Sequence, residues 1–337
     1  MSSLPPTGSV PNPAAGAGAA PSPAALPPDR AAILTEQRNP RSMHLHRLGV
    51  RECVDLIGDE DAAVLEAMRA ARPALATFVE AILPGFLAGG RLIYLGAGTS
   101  GRLGVLDASE APPTFQIEPG RIIGIIAGGD SALRISSEGK EDDPEGARPE
   151  LERLNLTGDD AVLAIAAGGT TPYALGALRV AKSLAPVTTG LLCCTTLPEK
   201  PAWVDHLIAI LTGPEVVTGS TRMKAGTATK LALNTISTTL MIQCGRVYEN
   251  LMVDLRASNA KLRDRAARIV ATLTGSSRVN AFELVDAAGG SVKVAIVMSK
   301  LGVDRSRAEA YLARAAGRLD VALRSDQGDT VAPSERA

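Results

Sequence analysis

Apolar residues recur along this chain in short runs that are separated by longer segments with helical spacing. The runs are RLIYL at 91–95, RIIGIIAGG at 121–129, AVLAIAAGG at 161–169, TTGLLCC at 188–194 and HLIAILTG at 206–213. They do not alternate between apolar and polar residues, which is typical of strands buried on both faces of a sheet. Their alternation with helical segments predicts an α/β fold, a doubly wound parallel sheet flanked by helices.

The helical segments are recognised by apolar residues at spacings of three and four. Such spacing extends over about 31–84, and TPYALGALRVAKSL at 171–184 predicts a crossover helix between two strands. A long helix is expected over about 224–243, with further helical segments towards Leu262. The segments VNAFELVDAAG, SVKVAIVMSKLG and SRAEAYLARAAGRLDVAL, which follow residue 278, predict short C-terminal helices.

Composition divides the chain into three parts. The first 28 residues contain eight of the 22 prolines and no charged residue, so they favour neither helix nor sheet. We therefore predict a disordered tail over 1–30, an α/β domain with flanking helices over 31–270, and a small helical C-terminal module over 271–330.

Charge and composition exclude several classes of function. The net charge is −1 and aromatic residues make up 3%, so neither nucleic acid nor an anionic membrane surface is an expected partner. The sequence contains no run of about 18 apolar residues, so no membrane span is predicted. Four cysteines without C-x-x-C spacing and three histidines predict no metal site, and reduced thiols are typical of the cytoplasm. Acid–base chemistry therefore falls to carboxylates, lysine or tyrosine.

The most informative segment is RLIYLGAGTSGRLGVLDASEAPPTF at 91–115, in which a predicted strand enters a glycine-rich turn and then a helix. Gly98 lets the backbone approach a ligand closely, while Thr99 and Ser100 add hydroxyl groups. The N–H groups that begin the helix would face an anion. Glu110 follows on the same segment, near the rim of the expected cleft. This combination favours a phosphorylated small molecule as ligand.

Two other interpretations of this turn remain open. G-A-G-T-S-G also fits the dinucleotide fingerprint, which expects an acidic residue about 20 positions further on. The first acid after the next predicted strand is Asp130, which is later than that pattern requires. The turn could also be purely structural, and Glu110 a solvated surface acid.

Three later segments are expected to meet this turn at the carboxyl ends of the strands, where open α/β sheets bind ligands. EGKEDD at 138–143 is an acidic loop, although an exposed turn has the same composition. AAGGTTPY at 166–173 is a second glycine–hydroxyl loop, and GPEVVTGSTRMKAGT at 213–227 brings hydroxyls and cations into a helix. The candidate substrate-binding residues in the last two segments are Thr170, Thr171, Ser220, Thr221 and Lys224, of which Ser220 alternatively caps the helix.

With these loops in place, the chain resembles the N-acetylmuramic acid 6-phosphate etherases of the sugar-isomerase (SIS) superfamily. The matching stretches are TEQRNPRSM, YLGAGTSGRLGVLDASEAPPTF, EGKEDD, GPEVVTGSTRMKAGTATKLALNTIST and NLMVDLRASN, which together cover about 35–270. The resemblance implies a SIS-type sheet and cofactor-free cleavage of the substrate's D-lactyl ether. It also implies acid–base roles for Glu110 and Glu141, and a homodimer whose neighbouring subunit completes the cleft.

The chain departs from the family pattern in its second loop, where S-G-R-T-P-Y is usual. Gly168 stands in place of the serine and Thr170 in place of the arginine, so a hydroxyl and a cation are replaced. This departure leaves a second hypothesis open, a non-catalytic sugar-phosphate sensor on the same scaffold. A nucleotide-dependent oxidoreductase, which depends on G-A-G-T-S-G alone, is the third.

Overall fold

The fold, described from a computed structural model, is built on a parallel sheet. The structure describes residues 29–135, 137–255 and 259–324. The tail predicted over 1–30 lies almost entirely outside these residues. In the described part of the chain, five strands form the parallel sheet in the order β2-β1-β3-β4-β5. They are β1 (Leu92–Gly96), β2 (Ile122–Ile126), β3 (Ala161–Ile165), β4 (Thr188–Cys193) and β5 (His206–Ala209).

Helices cover both faces of this sheet. Successive side chains of a strand point to opposite faces, so each buried strand has apolar side chains to cover on both sides. They are α1 (Val50–Leu87), α2 (Gly98–Phe115), α3 (Arg148–Arg153), α4 (Pro172–Leu184) and α5 (Lys224–Gln243). Leu92 and Tyr94 of β1 lie in one apolar core with residues of α1, α2 and α5. Ile93 and Leu95 lie in a second core with residues of α3 and α4. The predicted doubly wound sheet is confirmed.

The N-terminal helical region is less continuous than its spacing predicts. Short 3-10 turns occupy 34–47, and α1 begins only at Val50, where Glu52 accepts a hydrogen bond from the Gly49 N–H (2.7 Å). Part of α1 is long and apolar enough to cross a membrane by length and composition alone, which is weak support for a span. Eight apolar residues between Val64 and Phe86 are buried in the core that also contains residues of α5, as in the core helix of a globular domain.

The segment after α5 differs from the prediction. The further helical segments expected towards Leu262 are wrong for 247–252, which form an antiparallel hairpin of β6 (Val247–Tyr248) and β7 (Leu251–Met252). Gly245 (φ 70°) and Glu249 (φ 53°) adopt left-handed backbone conformations, which end the helix and turn the hairpin. Helical spacing in the sequence therefore overstates helix here.

The predicted C-terminal helices are present and share one apolar core. They are α6 (Ala260–Thr274), α7 (Arg278–Ala287), α8 (Val292–Leu301), α9 (Arg305–Arg314) and α10 (Leu319–Arg324). Val253, Leu255 and the buried face of α6 belong to the same cluster as α7 to α10. A boundary between residues 270 and 271 would divide α6, so we place the start of the module near Val253. The division into domains otherwise stays a prediction.

The sheet order places the loops after β1 and β3 side by side, since Gly96 pairs with Ile165 at the ends of these strands. Gly101 then lets α2 begin directly against β1, because a Cβ atom there would lie 2.5 Å from the Gly96 carbonyl oxygen. Gly176 has a similar role in α4. A Cβ atom at Gly176 would lie 1.9 Å from the Pro144 carbonyl oxygen. Because glycine has no Cβ atom, the segment that follows the acidic loop can pack on α4.

We expect Gly176→Ala to destabilise the fold by about 1–3 kcal/mol, because the overpacking cost exceeds the gain in helix propensity. Gly58→Ala in α1 is the matched control, since nothing lies within 4 Å of its Cβ position. The control should stabilise α1 by about 1 kcal/mol. Urea unfolding measures both, and equal stability of the two variants would contradict the packing argument.

Candidate functional site

The first glycine–hydroxyl loop is formed where β1 meets α2. Gly98 is exposed with φ 52°, while Thr99 and Ser100 are half-buried at the start of α2. The Gly101 N–H donates to the Ala97 carbonyl (3.2 Å), and the N–H groups before it have no intrahelical acceptor. This turn offers donors to an anion at the carboxyl edge of the sheet.

The second loop and the acidic loop meet at the start of α4. Gly169 has φ 67°, Thr170 is exposed, and half-buried Thr171 immediately precedes the helix. The Tyr173 N–H donates to the Glu141 carbonyl oxygen (3.0 Å), which fixes the acidic loop beside this helix start. Because β1 and β3 are neighbours, both glycine–hydroxyl loops lie at one sheet edge, as predicted from the sequence.

The loop before α5 contributes a third side. A Cβ atom at Gly226 would lie 3.4 Å from the Thr221 carbonyl oxygen and 3.6 Å from Thr99 Cγ2. Half-buried Ser220 and Thr221 therefore lie near the first loop, as the sequence analysis expected of this segment. The three hydroxyl-bearing segments converge on one edge of the sheet.

An N-terminal strap, residues 33–36, crosses these loops and was given no role from the sequence. The Leu34 N–H donates to Thr195 Oγ1 (3.1 Å), and the Thr35 carbonyl oxygen accepts from the Gly219 N–H (3.1 Å). Thr35 is fully buried, and its hydroxyl has no hydrogen-bond partner among the residues that the structure describes. Its Oγ1 lies 3.7 Å from the position of a Cβ atom on Gly168. The strap thus connects the region around the second loop with the loop before α5.

Glu110 lies in a groove between α2 and α5 rather than at the first loop. It is 12 residues along α2 from Gly98, a separation of about 18 Å at 1.5 Å per residue. Its side chain is 62% exposed and lines a cavity of about 170 Å³, while a cavity of about 370 Å³ extends between Thr99 and Lys230. The backbone of Glu110 therefore lies several helical turns from the first loop, along a groove that begins at Thr99, and its place in the substrate cleft stays a prediction.

Comparison with known proteins identifies the family. The profile of the glucokinase regulatory protein N-terminal SIS domain matches residues 74–182. The N-acetylmuramic acid 6-phosphate etherase of Synechococcus sp. is 51% identical over 84% of this chain and 90% of its own length. The chain belongs to the N-acetylmuramic acid 6-phosphate etherase family. The etherase of Gloeobacter violaceus is 50% identical over 89% of this chain and 98% of its own length.

One further etherase and one solved structure are also similar to this chain. The N-acetylmuramic acid 6-phosphate etherase of Streptomyces coelicolor is 46% identical, over 88% of this chain and 95% of its own length. The phosphoheptose isomerase GmhA of Neisseria gonorrhoeae aligns with a TM-score of 0.41 at 15% identity, over 57% of this chain and 98% of that chain.

Within this etherase-family chain, Lys224, which the sequence analysis placed among the substrate-binding candidates, is buried against α1. Its side chain is 3% exposed and its ammonium lies 2.6 Å from Glu60 Oε2 of α1. Asn39 donates to the same oxygen (2.6 Å) and Arg41 to Oε1 (2.9 Å). Burial alone would raise the pKa of Glu60, but the hydrogen bonds from Lys224 and Asn39 outweigh it and lower this pKa below 4.5. The buried carboxylate needs a cation, and Lys224 supplies it.

Glu215 is a second buried acid that the sequence analysis missed. It is fully buried, and its carboxylate accepts hydrogen bonds from the N–H groups of Lys224 (3.1 Å) and Ala225 (2.9 Å). Burial raises the pKa of Glu215 despite these two hydrogen bonds. Glu215 therefore caps α5, and no local signal in G-P-E-V-V distinguishes it from a loop acid.

We expect Lys224→Met to lower the free energy of unfolding by up to about 3–5 kcal/mol, because it removes the buried cation of Glu60 and leaves only the largely exposed Arg41 paired with this acid. Since the pKa of Glu60 is lowered, its contribution is present above pH 4.5 and is lost as pH falls through the folded value. The decrease in the free energy of unfolding at acidic pH should therefore be smaller in the Lys224→Met variant than in the wild type. Urea unfolding at several pH values is the measurement.

Arg69→Met provides the control for this experiment, since Arg69 pairs with Glu66 on an exposed stretch of α1. Loss of that surface pair should cost less than about 1 kcal/mol. If Lys224→Met destabilised the protein no more than the control, the anchoring role of the buried pair would be wrong.

Proposed function

We propose that this protein cleaves the D-lactyl ether of N-acetylmuramic acid 6-phosphate, giving N-acetylglucosamine 6-phosphate and D-lactate. The observation that carries the proposal is 51% identity with an etherase of that name over most of both chains. The carboxyl edge of the sheet supports it with converging hydroxyl and N–H donors. The reaction makes the protein a carbon–oxygen lyase that needs neither metal nor cofactor.

The substrate's phosphate is bound at the converging loops. The first turn of α2 presents N–H donors and a positive dipole end, which suit a dianion. Hydroxyls from the neighbouring loops add donors from other directions. The proposed contacts are Gly98, Thr99, Ser100, Thr170, Thr171, Ser220 and Thr221. Lys224 is left out of this set because Glu60 already engages its ammonium.

Glu110 and Glu141 carry the acid–base chemistry on the open-chain sugar. The aldehyde acidifies the C2–H bond, so a carboxylate removes this proton and the electron pair forms the C2–C3 double bond. The C3–O bond breaks, and a carboxylic acid protonates the departing lactate oxygen. Water then adds to C3 of the unsaturated aldehyde and a proton returns to C2. Each positioned acid or base contributes about 10²–10⁴-fold.

A second copy of the chain completes the active site. Glu110 lies about 18 Å along α2 from Gly98, and a hexose phosphate is shorter than this separation. One Glu110 therefore does not serve the sugar held at its own phosphate turn. In the proposed homodimer, Glu110 of one protomer acts on the sugar held by its partner. The cytoplasmic location predicted from the sequence stays a prediction.

A sugar-phosphate sensor is the second candidate function, and the second loop is the observation that favours it. Gly168 and exposed Thr170 replace the hydroxyl and the cation of the usual loop. A sensor would be stabilised by N-acetylmuramic acid 6-phosphate in a thermal unfolding experiment and would release no lactate.

The etherase proposal predicts that D-lactate appears without added cofactor and that the sugar product carries deuterium at C2 in deuterated water. Glu110→Gln and Glu141→Gln should each lower lactate release by at least about 100-fold. Exchange of the C2 proton of the sugar with deuterated water assigns their roles. The variant that lacks the base should lose this exchange, and the variant that lacks the acid should retain it. Glu283→Gln, at an exposed position of α7, is the control. Near-wild-type release by Glu110→Gln would refute its role.

The proposed sharing of the site predicts complementation between two inactive variants. Ser100→Asp repels the phosphate, and Glu110→Gln removes a carboxylate. In a mixed dimer one site combines the intact Ser100 with the intact Glu110, so a 1:1 mixture should regain about a quarter of wild-type lactate release if dimers form at random. Native mass spectrometry verifies the mixed dimer. A mixed dimer without activity would contradict the shared site.

A further inference from the structure

Lys230 of α5 lies across the groove from two acids of α2. Its ammonium nitrogen is 3.2 Å from Asp107 Oδ1 and 3.5 Å from Glu110 Oε2. The Lys230 side chain is 25% exposed, whereas that of Asp107 is 5% exposed. One cation is therefore shared between a buried acid and the exposed acid to which we assign chemistry.

Asp107 is fixed from the sheet side as well. The hydroxyl of Tyr94, a fully buried residue of β1, donates to Asp107 Oδ2 (3.2 Å). Burial and the adjacent Asp107 charge raise the pKa of Tyr94 well above its usual range, so the hydroxyl stays protonated and remains a donor. Tyr94, Asp107 and Lys230 thus form a connected path from the core to the groove.

This path distinguishes Lys230 from an ordinary surface partner. An exposed ion pair is worth little and leaves both side chains free to rotate. Here the buried Asp107 holds the ammonium in place. Thr114, Asn234, Ser237 and Thr238, the other polar side chains that line the cavity around Glu110, are uncharged. Two carboxylates already share the Lys230 charge, which disfavours Lys230 as a phosphate ligand.

We propose that Lys230 is a positioning residue that holds the Glu110 carboxylate in its reactive orientation through the Tyr94–Asp107 anchor. The inference rests on the proposed etherase function. Lys230 keeps one rotamer of an otherwise exposed side chain populated and balances its negative charge when the carboxyl group is ionised. Misplacing a reacting group by about 1 Å can cost about 100-fold in rate. Lys230 therefore acts on kcat rather than on substrate affinity.

The test measures D-lactate release by Lys230→Met, Lys230→Arg and Asp107→Asn. Lys230→Met should lower kcat by about 10–100-fold and leave KM within about threefold, because orientation and not binding is lost. Lys230→Arg retains the cation and should recover most of the loss. Asp107→Asn keeps the Tyr94 hydrogen bond but loosens Lys230, so its kcat should fall in the same direction.

Lys182→Met is the matched control. Lys182 of α4 is 29% exposed and its ammonium lies 2.7 Å from Asp205, in an ion pair outside the groove. This variant should retain wild-type kcat. Thermal unfolding of every variant separates loss of fold from loss of orientation, and the conservative Lys230→Arg and Asp107→Asn variants keep the test valid if Lys230→Met is unstable.

Each other outcome overturns the inference. A Lys230→Met kcat within twofold of wild type would show that Glu110 needs no such support. A loss confined to KM would make Lys230 a substrate ligand, and failure of Lys230→Arg to recover kcat in a folded protein would exclude the proposed charge-dependent positioning. If the wild-type protein itself released no lactate, the etherase proposal would fail instead.

Discussion

The buried ion pair between Glu60 and Lys224 is the interaction on which the geometry of the site depends. It joins the first third of α1 to the first residue of α5, and Asn39 and Arg41 add the N-terminal region to the same carboxylate. Glu215 fixes the same helix start from the preceding loop. Burying these charges is tolerable only because every partner is present together. The position of α5, and with it one wall of the groove, follows from this network.

The loops at the edge of the sheet and the carboxylates carry different parts of the proposed chemistry. Adjacent strands bring hydroxyl-bearing loops to one edge, where we propose that the phosphate binds. The carboxylates instead lie on separate elements, with Glu141 beside α4 and Glu110 far along α2. Tyr94 links these parts, since its backbone belongs to the central sheet and its hydroxyl reaches Asp107 beneath the groove. Of the two carboxylates to which we assign acid–base chemistry, Glu141 therefore lies beside the second loop and Glu110 lies further along α2.

Sequence patterns predicted the elements better than the contacts between them. Buried strands and the helix at 224–243 follow from local composition, because burial on both faces requires continuous apolar runs. The hairpin at 247–252 was missed, since its turn depends on a left-handed Glu249 that no residue preference signals. Lys224 looked like a ligand because its partner Glu60 lies 164 residues away. The distance between Gly98 and Glu110 has a local cause instead, because it depends on α2 continuing without a break from Gly98 past Glu110.

The separation between Glu60 and Lys224 also bears on how the chain folds during synthesis. Since domains acquire structure as the chain emerges, α1 is complete long before its cation has been translated. Until then, Glu60 has Asn39 and Arg41 as partners but lacks Lys224, so the buried part of the network is incomplete. Closure of the core instead waits for a contact of very long range, which raises contact order and slows folding. In a nascent chain, the apolar face of α1 therefore lacks the helix it packs against until α5 has been translated.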